Sequence, residues 1–257
     1  MKGYVFDVEY CWGFQARIAG MSKTSSSYLF PPPSTILGAI AESYNVRKGR
    51  SESESVSTVV KLSKEILSLT FKSLNAIPIS FQDLNKVIAI RTSAGEEYPS
   101  TVEVYKSFDA PARGKTILSS LDDSPPSLRV VLIVRDSDIT VDDLWRIKRI
   151  GSKESLVSVT NVNEHDVKGV GKEFETDFAI PVLDEVEIHS LGEFLYQFYV
   201  PVDGGSLVDS PWKMYVESKT VKYMIGLPFR DYKVAVKVKG KYTGYKVGEE
   251  VVMGIES

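Results

Sequence analysis

The sequence predicts an α+β fold in which strands outnumber helices. Apolar patterning along residues 1–165 gives the order strand, helix, strand, strand, helix, strand. Leu128–Arg135 is almost continuously apolar, as is typical of a central strand. Residues 166–257 add three strand-like runs joined by glycine-containing turns. The βαββαβ order is that of a ferredoxin-like (RRM-like) domain. We therefore predict such a domain over residues 1–165 and a β-rich region over 166–257 that packs on it.

The first strand and the first helix come early in the chain. Gly3–Trp12 alternates and is rich in tyrosine, valine and phenylalanine, which predicts a strand. After a polar loop comes FPPPSTILGAIAESYN (30–45), where three prolines favour an extended segment directly before a helix. Ser34 or Thr35 can cap this helix by accepting a backbone N–H bond. On the residues alone, an ordinary tight strand-to-helix connection explains the pattern as well as a special role does. The apolar residues fall on one helix face: Ile36, Leu37, Ile40, Ala41 and Tyr44.

Two insertions are predicted before the central strand. In the first, 46–85, a polar linker (47–57) precedes an amphipathic helix whose apolar residues run from Val59 to Leu74. A short strand over Lys86–Thr92 follows. The second insertion, 93–127, is a long connection of the kind that is usually functional or disordered. We expect a thumb-like hairpin or mobile loop there that contacts a partner. Its aromatic and basic residues include Tyr98, Tyr105, Lys106, Phe108, Arg113 and Lys115.

A helix and a strand complete the predicted domain. Thr140–Asp143 has a capping-box pattern, and its acids suit the helix N-terminus. Leu156–Val162 is typical of a strand. In the C-terminal region, strands are predicted within Phe194–Val202, Tyr232–Val238 and Tyr242–Met253.

Charge is unevenly distributed along the chain. The net charge is −3, which argues against a generic, salt-driven nucleic-acid binder. Yet residues 173–209 hold nine Asp/Glu and no Lys/Arg, whereas residues 213–246 hold nine Lys/Arg against two acids. Such segregation can present a basic face on a chain that is acidic on average. The acidic stretch can equally be a solvated surface or face a basic partner.

Signatures of enzymes and metal sites are scarce. No phosphate-binding glycine loop, serine-nucleophile elbow or zinc-protease motif is present. The two histidines, His165 and His189, lack metal-ligand spacing, and a surface-loop position explains His165 better than acid–base chemistry. Cys11, the one cysteine, excludes an internal disulfide, fits a reducing cytoplasm and is expected to be buried. We predict no cofactor, no metal and no export signal.

The aromatic and basic insertion on a ferredoxin-like sheet favours an RNA-binding scaffold. Single-stranded RNA is held by bases stacked on aromatic rings, while basic groups follow the phosphates. Lys106, Phe108, Arg113 and Lys115 are candidates for this role, although Phe108 and Tyr105 can also serve local packing. Arg149 and Lys153, at the junction after the second helix, can bind phosphate or stabilise a helix C-terminus.

Two segments resemble one known family. FPPPSTILGAIAESYN (30–45) and RIGSKESLVSV (149–159) are similar, in that order along the chain, to segments of the CRISPR-associated Cas5 family within the RAMP superfamily. The match covers the frame of the predicted domain and leaves out the insertions and the tail. The archaeal type I-A (Apern) branch is the most similar.

The resemblance implies a subunit of a type I Cascade surveillance complex without catalytic activity. It implies binding of the 5′ handle of crRNA, contact with a Cas7-family backbone subunit and the large subunit, and only indirect contact with target DNA. The first helix and its lead-in, with Ser34 and Thr35, would belong to the RNA grip, and a thumb would pack on the backbone subunit. One branch of the family cuts its transcript with His, Tyr and Lys, but neither histidine here lies in a matching segment. An endoribonuclease and the equivalent type III subunit remain alternatives.

Overall fold

A computed structural model describes residues 1–18, 26–51, 54–84, 91–93, 96–98, 112–190, 194–229 and 233–256. The helices among these residues are α1 Pro33–Arg47, α2 Ser55–Ser63, α3 Val141–Trp145 and α4 Pro211–Val216. The strands are β1 Lys2–Tyr10, β2 Gly13–Phe14, β3 Ile66–Ser73, β4 Ala76–Leu84, β5 Arg91–Ser93, β6 Glu96–Tyr98, β7 Ala112–Ser120, β8 Ser127–Val134, β9 Val157–His165, β10 Val167–Gly171, β11 Glu173–Thr176, β12 Ile180–Pro181, β13 Val186–His189, β14 Leu195–Tyr199, β15 Val221–Ile225, β16 Val234–Val238, β17 Tyr242–Val247 and β18 Glu250–Ile255. The fold is thus a mixed, strand-rich α and β structure, as predicted.

A four-stranded antiparallel sheet in the order β3–β8–β1–β9 forms the centre of residues 1–165. One face, with Tyr4, Phe6 and Val8, packs in the same core as α1. On the opposite face, Val5 packs with Tyr245 of the C-terminal β17–β18 hairpin. Because both faces are buried, the central strand β8 is apolar on both sides, which explains its nearly continuous apolar sequence.

The element predictions hold for β1, α1, β8, α3 and β9 but fail between α1 and β8. The predicted helix over Val59–Leu74 ends at Ser63, and Ile66–Ser73 forms edge strand β3 of the central sheet. This stretch has buried residues on both of its faces, and an apolar run of that kind does not distinguish helix from strand. Most of the predicted strand Lys86–Thr92 lies outside the described residues, and β3 occupies the sheet position it was expected to fill.

Two long strands, one from each predicted insertion, pair with each other. Strand β4, assigned from sequence to the linker and helix of 46–85, pairs with β7 from the 93–127 segment, with Ala76 opposite Ser120 and Leu84 opposite Ala112. At the base, β2 pairs with β7. The resulting β4–β7 hairpin takes one strand from each predicted insertion; it is called the thumb below, after the predicted thumb-like hairpin, whose contact with a partner stays a prediction.

The predicted C-terminal strands are present as β14 and β16–β18. The acidic and basic stretches pair with each other across the sheet β11–β16–β13, where Lys237 is bonded to Glu173 at 2.5 Å and Lys239 is bonded to Glu187. The predicted basic face is therefore partly neutralised within the chain. The largest core joins Tyr199 and Tyr223 of this region to the helices, and the domain boundary at 165 stays a prediction.

Other expectations also meet the structure here. Cys11 is exposed, so its predicted burial was wrong, because it lies in the bend just after β1. The capping box of α3 is confirmed, with Thr140 and Asp143 exchanging bonds. Of the helices in the described ranges, none is long and apolar enough to cross a bilayer.

A half-buried charge cluster joins the C-terminal hairpin to the central sheet. Glu250 accepts bonds from Lys72 at 2.8 Å and Arg129 at 2.9 Å, and Arg129 also binds Asp7 through both carboxylate oxygens, at 2.7 and 2.8 Å. Burial alone would raise the pKa of Glu250, but the hydrogen bonds from Lys72 and Arg129 outweigh it and leave the pKa lowered. The carboxylate therefore stabilises the folded chain.

Replacing Glu250 with glutamine should lower the free energy of unfolding near pH 7 by about 1–3 kcal/mol, because Lys72 and Arg129 each lose one carboxylate partner and retain another, Asp177 and Asp7 respectively. A lowered folded-state pKa means that the stabilisation is complete above the unfolded value of about 4.3 and is lost as the pH falls through the folded value. Urea unfolding of both proteins at neutral pH and at about pH 3 should show the difference shrinking in acid. Glu249→Gln, an exposed neighbour, is the control, and a difference independent of pH would contradict this account.

Candidate functional site

The two segments singled out from the sequence meet at one groove. Its walls are the first turns of α1 and the turn that connects α3 to β9, and its volume is about 480 Å³. These segments lie more than a hundred residues apart in the chain, so the fold alone brings them together. The lining residues are Thr35, Gly38, Ala39, Glu42, Ser55, Arg149, Gly151, Ser152 and Lys153.

The turn at 149–155 is held in one shape by hydrogen bonds to residue Gln15. The N–H of Ser152 donates to the Gln15 carbonyl at 3.0 Å, and the N–H of Gln15 donates to the Ser155 hydroxyl, which is fully buried. Gly151 adopts φ +122°, where a side chain would lie 2.9 Å from the Gln15 carbonyl oxygen. Only glycine fits this position without strain.

Arg149 and Lys153 have different surroundings. Helix α3 ends at Trp145, so neither residue lies at a helix C-terminus. Of the two roles left open by the sequence, stabilisation of a helix C-terminus is therefore wrong, and phosphate binding stays a prediction. Arg149 binds both carboxylate oxygens of Glu42 on α1, at 2.8 and 3.0 Å, and so fastens the two walls of the groove together. Lys153 is exposed at the groove, and among the described residues it has no ion-pair partner.

The start of α1 differs from its predicted capping. Pro32 is the N-cap, Pro33 is the first helical residue, and neither Ser34 nor Thr35 caps the helix through its side chain. The prolines have no N–H, and the N–H of Thr35 donates to the Pro32 carbonyl at 2.8 Å. In this first turn only the Ser34 N–H is left for another partner, so the helix start offers an anion fewer donors than an ordinary N-terminus. Thr35 lines the groove, whereas Ser34 is buried.

A second groove of about 260 Å³ adjoins the first and shares Thr35 and Gly151 with it. Its walls are tyrosine and proline side chains, and Gln15, Arg17 and Ser34 add polar groups. The Tyr28 and Tyr215 rings lie 5.7 Å apart, and the Ser34 hydroxyl lies 3.5 Å from that of Tyr215. Burial raises the pKa of Tyr215, so its phenol stays neutral and able to donate at neutral pH. The lining residues are Gln15, Ala16, Arg17, Tyr28, Pro32, Ser34, Thr35, Gly151, Pro211 and Tyr215.

This second groove was missed by the sequence analysis. Tyr28 stands close before the proline run, and that spacing could have drawn attention to it. Tyr215 could not have been found in this way, since it arrives from the far end of the chain on α4. An aromatic recess of this size, edged by Arg17, suits a planar group that is attached to an anion.

The base of the thumb lies against both walls of the groove region. Lys115 lies 3.4 Å from the Glu154 carboxylate and 5.8 Å from the Trp12 ring centre, so it joins the hairpin to the turn. The Thr116 hydroxyl donates to the Tyr28 carbonyl at 2.5 Å. Lys106 and Phe108 lie outside the described residues, and Arg113 is described only as backbone of β7. Of the predicted thumb residues, the structure therefore places only Lys115 near the grooves.

The grooves are suited to binding. Neither His165 nor His189 lines either one. Among the described residues no group of three or more His, Cys, Asp or Glu side chains could hold a metal. The linings offer hydroxyl groups, backbone groups at a turn, one exposed lysine and stacking surfaces, which together can hold a phosphate-linked planar ligand.

Comparison with known proteins gives consistent matches. A family model described as "CRISPR-associated protein (Cas_Cas5)" matches residues 3–198. The curated protein "CRISPR-associated protein Cas5 2" of Saccharolobus solfataricus is 28% identical over 172 residues, which are 65% of this chain and 63% of that protein. "CRISPR-associated protein Cas5 3" of the same organism is 26% identical over 94% of this chain and 95% of its own length. The crystal structure of a CRISPR protein from Archaeoglobus fulgidus is 35% identical, with a TM-score of 0.73 over 99% of this chain and 100% of that one.

Proposed function

The chain belongs to the CRISPR-associated Cas5 family, and from this we propose that it is the RNA-binding subunit that holds the 5′ handle of crRNA in a CRISPR interference complex. The observation that carries the proposal is the meeting of the two family-like segments at one groove. We also assign the central sheet and its helices to a ferredoxin-like unit. The strand order β3–β8–β1–β9, with α1 after β1 and α3 after β8, supports this assignment.

In this proposal the two grooves bind different parts of one RNA strand. Lys153 at the open turn neutralises a phosphate, and the second groove, which Tyr28 and Tyr215 line side by side, takes a base. Arg149 acts indirectly, since its bonds to Glu42 keep the turn against α1. The rigid proline lead-in thus fixes one wall of the groove before RNA arrives, which lowers the ordering cost of binding.

An exposed apolar surface on the thumb is the basis for the proposed protein partner. Ile79 and Ile117 lie directly opposite each other on β4 and β7 and are 50% and 38% exposed, and Phe81, two residues along, is 46% exposed. An exposed apolar patch of this kind typically marks a surface that a partner protein buries. We propose that a Cas7-family backbone subunit covers it, in a type I complex that also contains the large subunit and meets target DNA only through the RNA. The type I-A branch is the proposed subtype, and the equivalent type III subunit is the alternative.

Replacing Lys153 with alanine should weaken handle-RNA binding by the assembled complex and reduce the slope of log affinity against log salt by about 0.7, the value for one lost contact on a single strand. Stability should be unchanged, because the side chain is exposed. Titrations at several salt concentrations measure the slope, with Lys168→Ala on exposed strand β10 as the control. An unaltered slope would remove Lys153 from the proposed contact.

We further propose that the chain is not itself a nuclease, because neither histidine lines either of the two grooves assigned to RNA; His189 lines a separate groove on the β11–β16–β13 sheet. Purified chain incubated with CRISPR repeat RNA without metal should leave it intact. Specific cleavage that His165→Ala or His189→Ala abolishes would instead favour the endoribonuclease alternative.

A further inference from the structure

Strand β14 exposes two aromatic rings on one face. Tyr196 is 48% and Phe198 58% exposed, whereas Gln197 and Tyr199 on the opposite face are buried. The buried side is anchored, since the side-chain amide oxygen Oε1 of Gln197 accepts the N–H of Phe30 at 3.0 Å and the Tyr199 hydroxyl donates to the Phe30 carbonyl. The strand that carries the two rings is therefore held firmly in place.

A lysine on the neighbouring strand completes this surface. Lys222 of β15 lies directly opposite Phe198, and its ammonium nitrogen lies 4.2 Å from the centre of the Tyr196 ring. Val182, 37% exposed, continues the row on the far side of Lys222, where its N–H bonds the Lys222 carbonyl. The exposed cross-strand row of Val182, Lys222 and Phe198 contains no acid. In the neighbouring row Ile180 and Met224 are buried in the core, and Tyr196 is the exposed member.

The two aromatic rings and the lysine of this face suit an unpaired nucleic-acid strand as a ligand. Side chains two apart on a strand are separated by about 7 Å, a spacing at which each ring of a sheet can stack one base of an unpaired strand. The Lys222 ammonium beside the Tyr196 ring suits a phosphate of such a strand. Among the described residues of these two rows there is one lysine and no acid, a charge that is complementary to an anion.

We propose that Tyr196, Phe198 and Lys222 form a stacking surface for unpaired RNA. None of the three lines either groove, so this is a site additional to the handle grip. The inference rests on the proposed function in that the ligand is the same class of molecule, a single-stranded RNA.

The test uses fluorescence anisotropy of the full chain with a labelled short oligouridine at low salt, and with an RNA duplex of equal length. The double variant Tyr196→Leu with Phe198→Leu, called the leucine pair below, keeps apolar side chains at both positions but removes stacking. It should bind oligouridine about tenfold more weakly or worse. Tyr196→Phe should bind like the unaltered chain, because stacking does not need the hydroxyl. Val208→Ser with Val216→Ser, at exposed apolar positions elsewhere, is the matched control and should have no effect.

The outcomes separate this inference from the proposed function. If the leucine pair binds oligouridine as tightly as the unaltered chain while Lys153→Ala binds more weakly, the stacking surface is wrong and the groove proposal stands. If the unaltered chain does not bind oligouridine, or binds the duplex equally well, the stacking surface is also wrong. If the leucine pair releases a protein subunit from the assembled complex without changing RNA affinity, the face docks protein and the inference is overturned.

Discussion

Replacing Gly151 with alanine should lower the free energy of unfolding by about 2–4 kcal/mol and abolish high-affinity RNA binding. Gly151 has φ +122°, and an added methyl group would lie 2.8 Å from the Ser155 hydroxyl and 2.9 Å from the Gln15 carbonyl oxygen. Backbone strain at such a position typically costs about 1–3 kcal/mol, and displacing the bonds to Gln15 and Ser155 adds to it. The turn would then no longer present Lys153 beside α1.

Gly38→Ala is the matched variant and should act in the opposite direction on stability. Gly38 lies inside α1 and lines the groove, and an added methyl group would meet no atom within 4 Å. Alanine in a helix interior is favoured over glycine by up to about 1 kcal/mol, so the free chain should become more stable. The same methyl group should obstruct an RNA backbone that approaches α1 closely, and RNA affinity should fall.

Chemical unfolding and RNA titration of both variants check this pair. Loss of affinity in the more stable Gly38→Ala chain cannot be ascribed to misfolding, which is why this variant accompanies Gly151→Ala. A Gly38→Ala chain that binds RNA normally would place the ligand elsewhere than against α1.

Converting the exposed isoleucine pair of the thumb into Ile79→Glu with Ile117→Lys should release the backbone subunit. The two positions face each other across β4 and β7, so the new charges can pair and keep the hairpin stable. The apolar face, however, is lost. Buried apolar anchors at interfaces each contribute about 2 kcal/mol or more, so affinity for the partner should fall at least about thirtyfold.

Co-purification of the partner with tagged chain, followed by titration, measures this effect. The control variant Ile79→Val with Ile117→Val keeps the apolar face and should still bind the partner. Normal partner binding by the Glu/Lys variant would show that the face of Ile79 and Ile117 is covered by something else or by nothing.

The sequence was sufficient to predict an element where its apolar pattern matches its burial in the fold. α1 was predictable because its apolar spacing, its proline start and its length all indicate a helix, and β8 because a fully buried strand has little alternation. β3 was missed because Ile66, Leu67 and Leu69 are all buried, which fits either structure. The pairing of β4 with β7 was missed because it is a contact between distant segments, and no local pattern records it.

The site was predictable only in part, for a similar reason. The two walls of the groove could be found separately as short distinctive segments. The pairing of Arg149 with Glu42, and the arrival of Tyr215 beside Tyr28, depend on how helices and loops pack. Helix capping was mispredicted because the start of α1 is fixed by the prolines at 32 and 33, which take the cap and first positions from Ser34 and Thr35.

Photo-crosslinking of the assembled complex, followed by mass spectrometry of the RNA-linked peptides, tests the central claim most directly. The complex should be purified through this chain, and the 5′ ends of its RNA should be uniform. We predict that nucleotides of the 5′ handle crosslink to peptides that contain Lys153, from the first groove, and Tyr28, from the second groove. Gly151 lines both grooves. A complex whose handle crosslinks only to other subunits, or which holds no RNA, would contradict the proposal that this chain grips the handle.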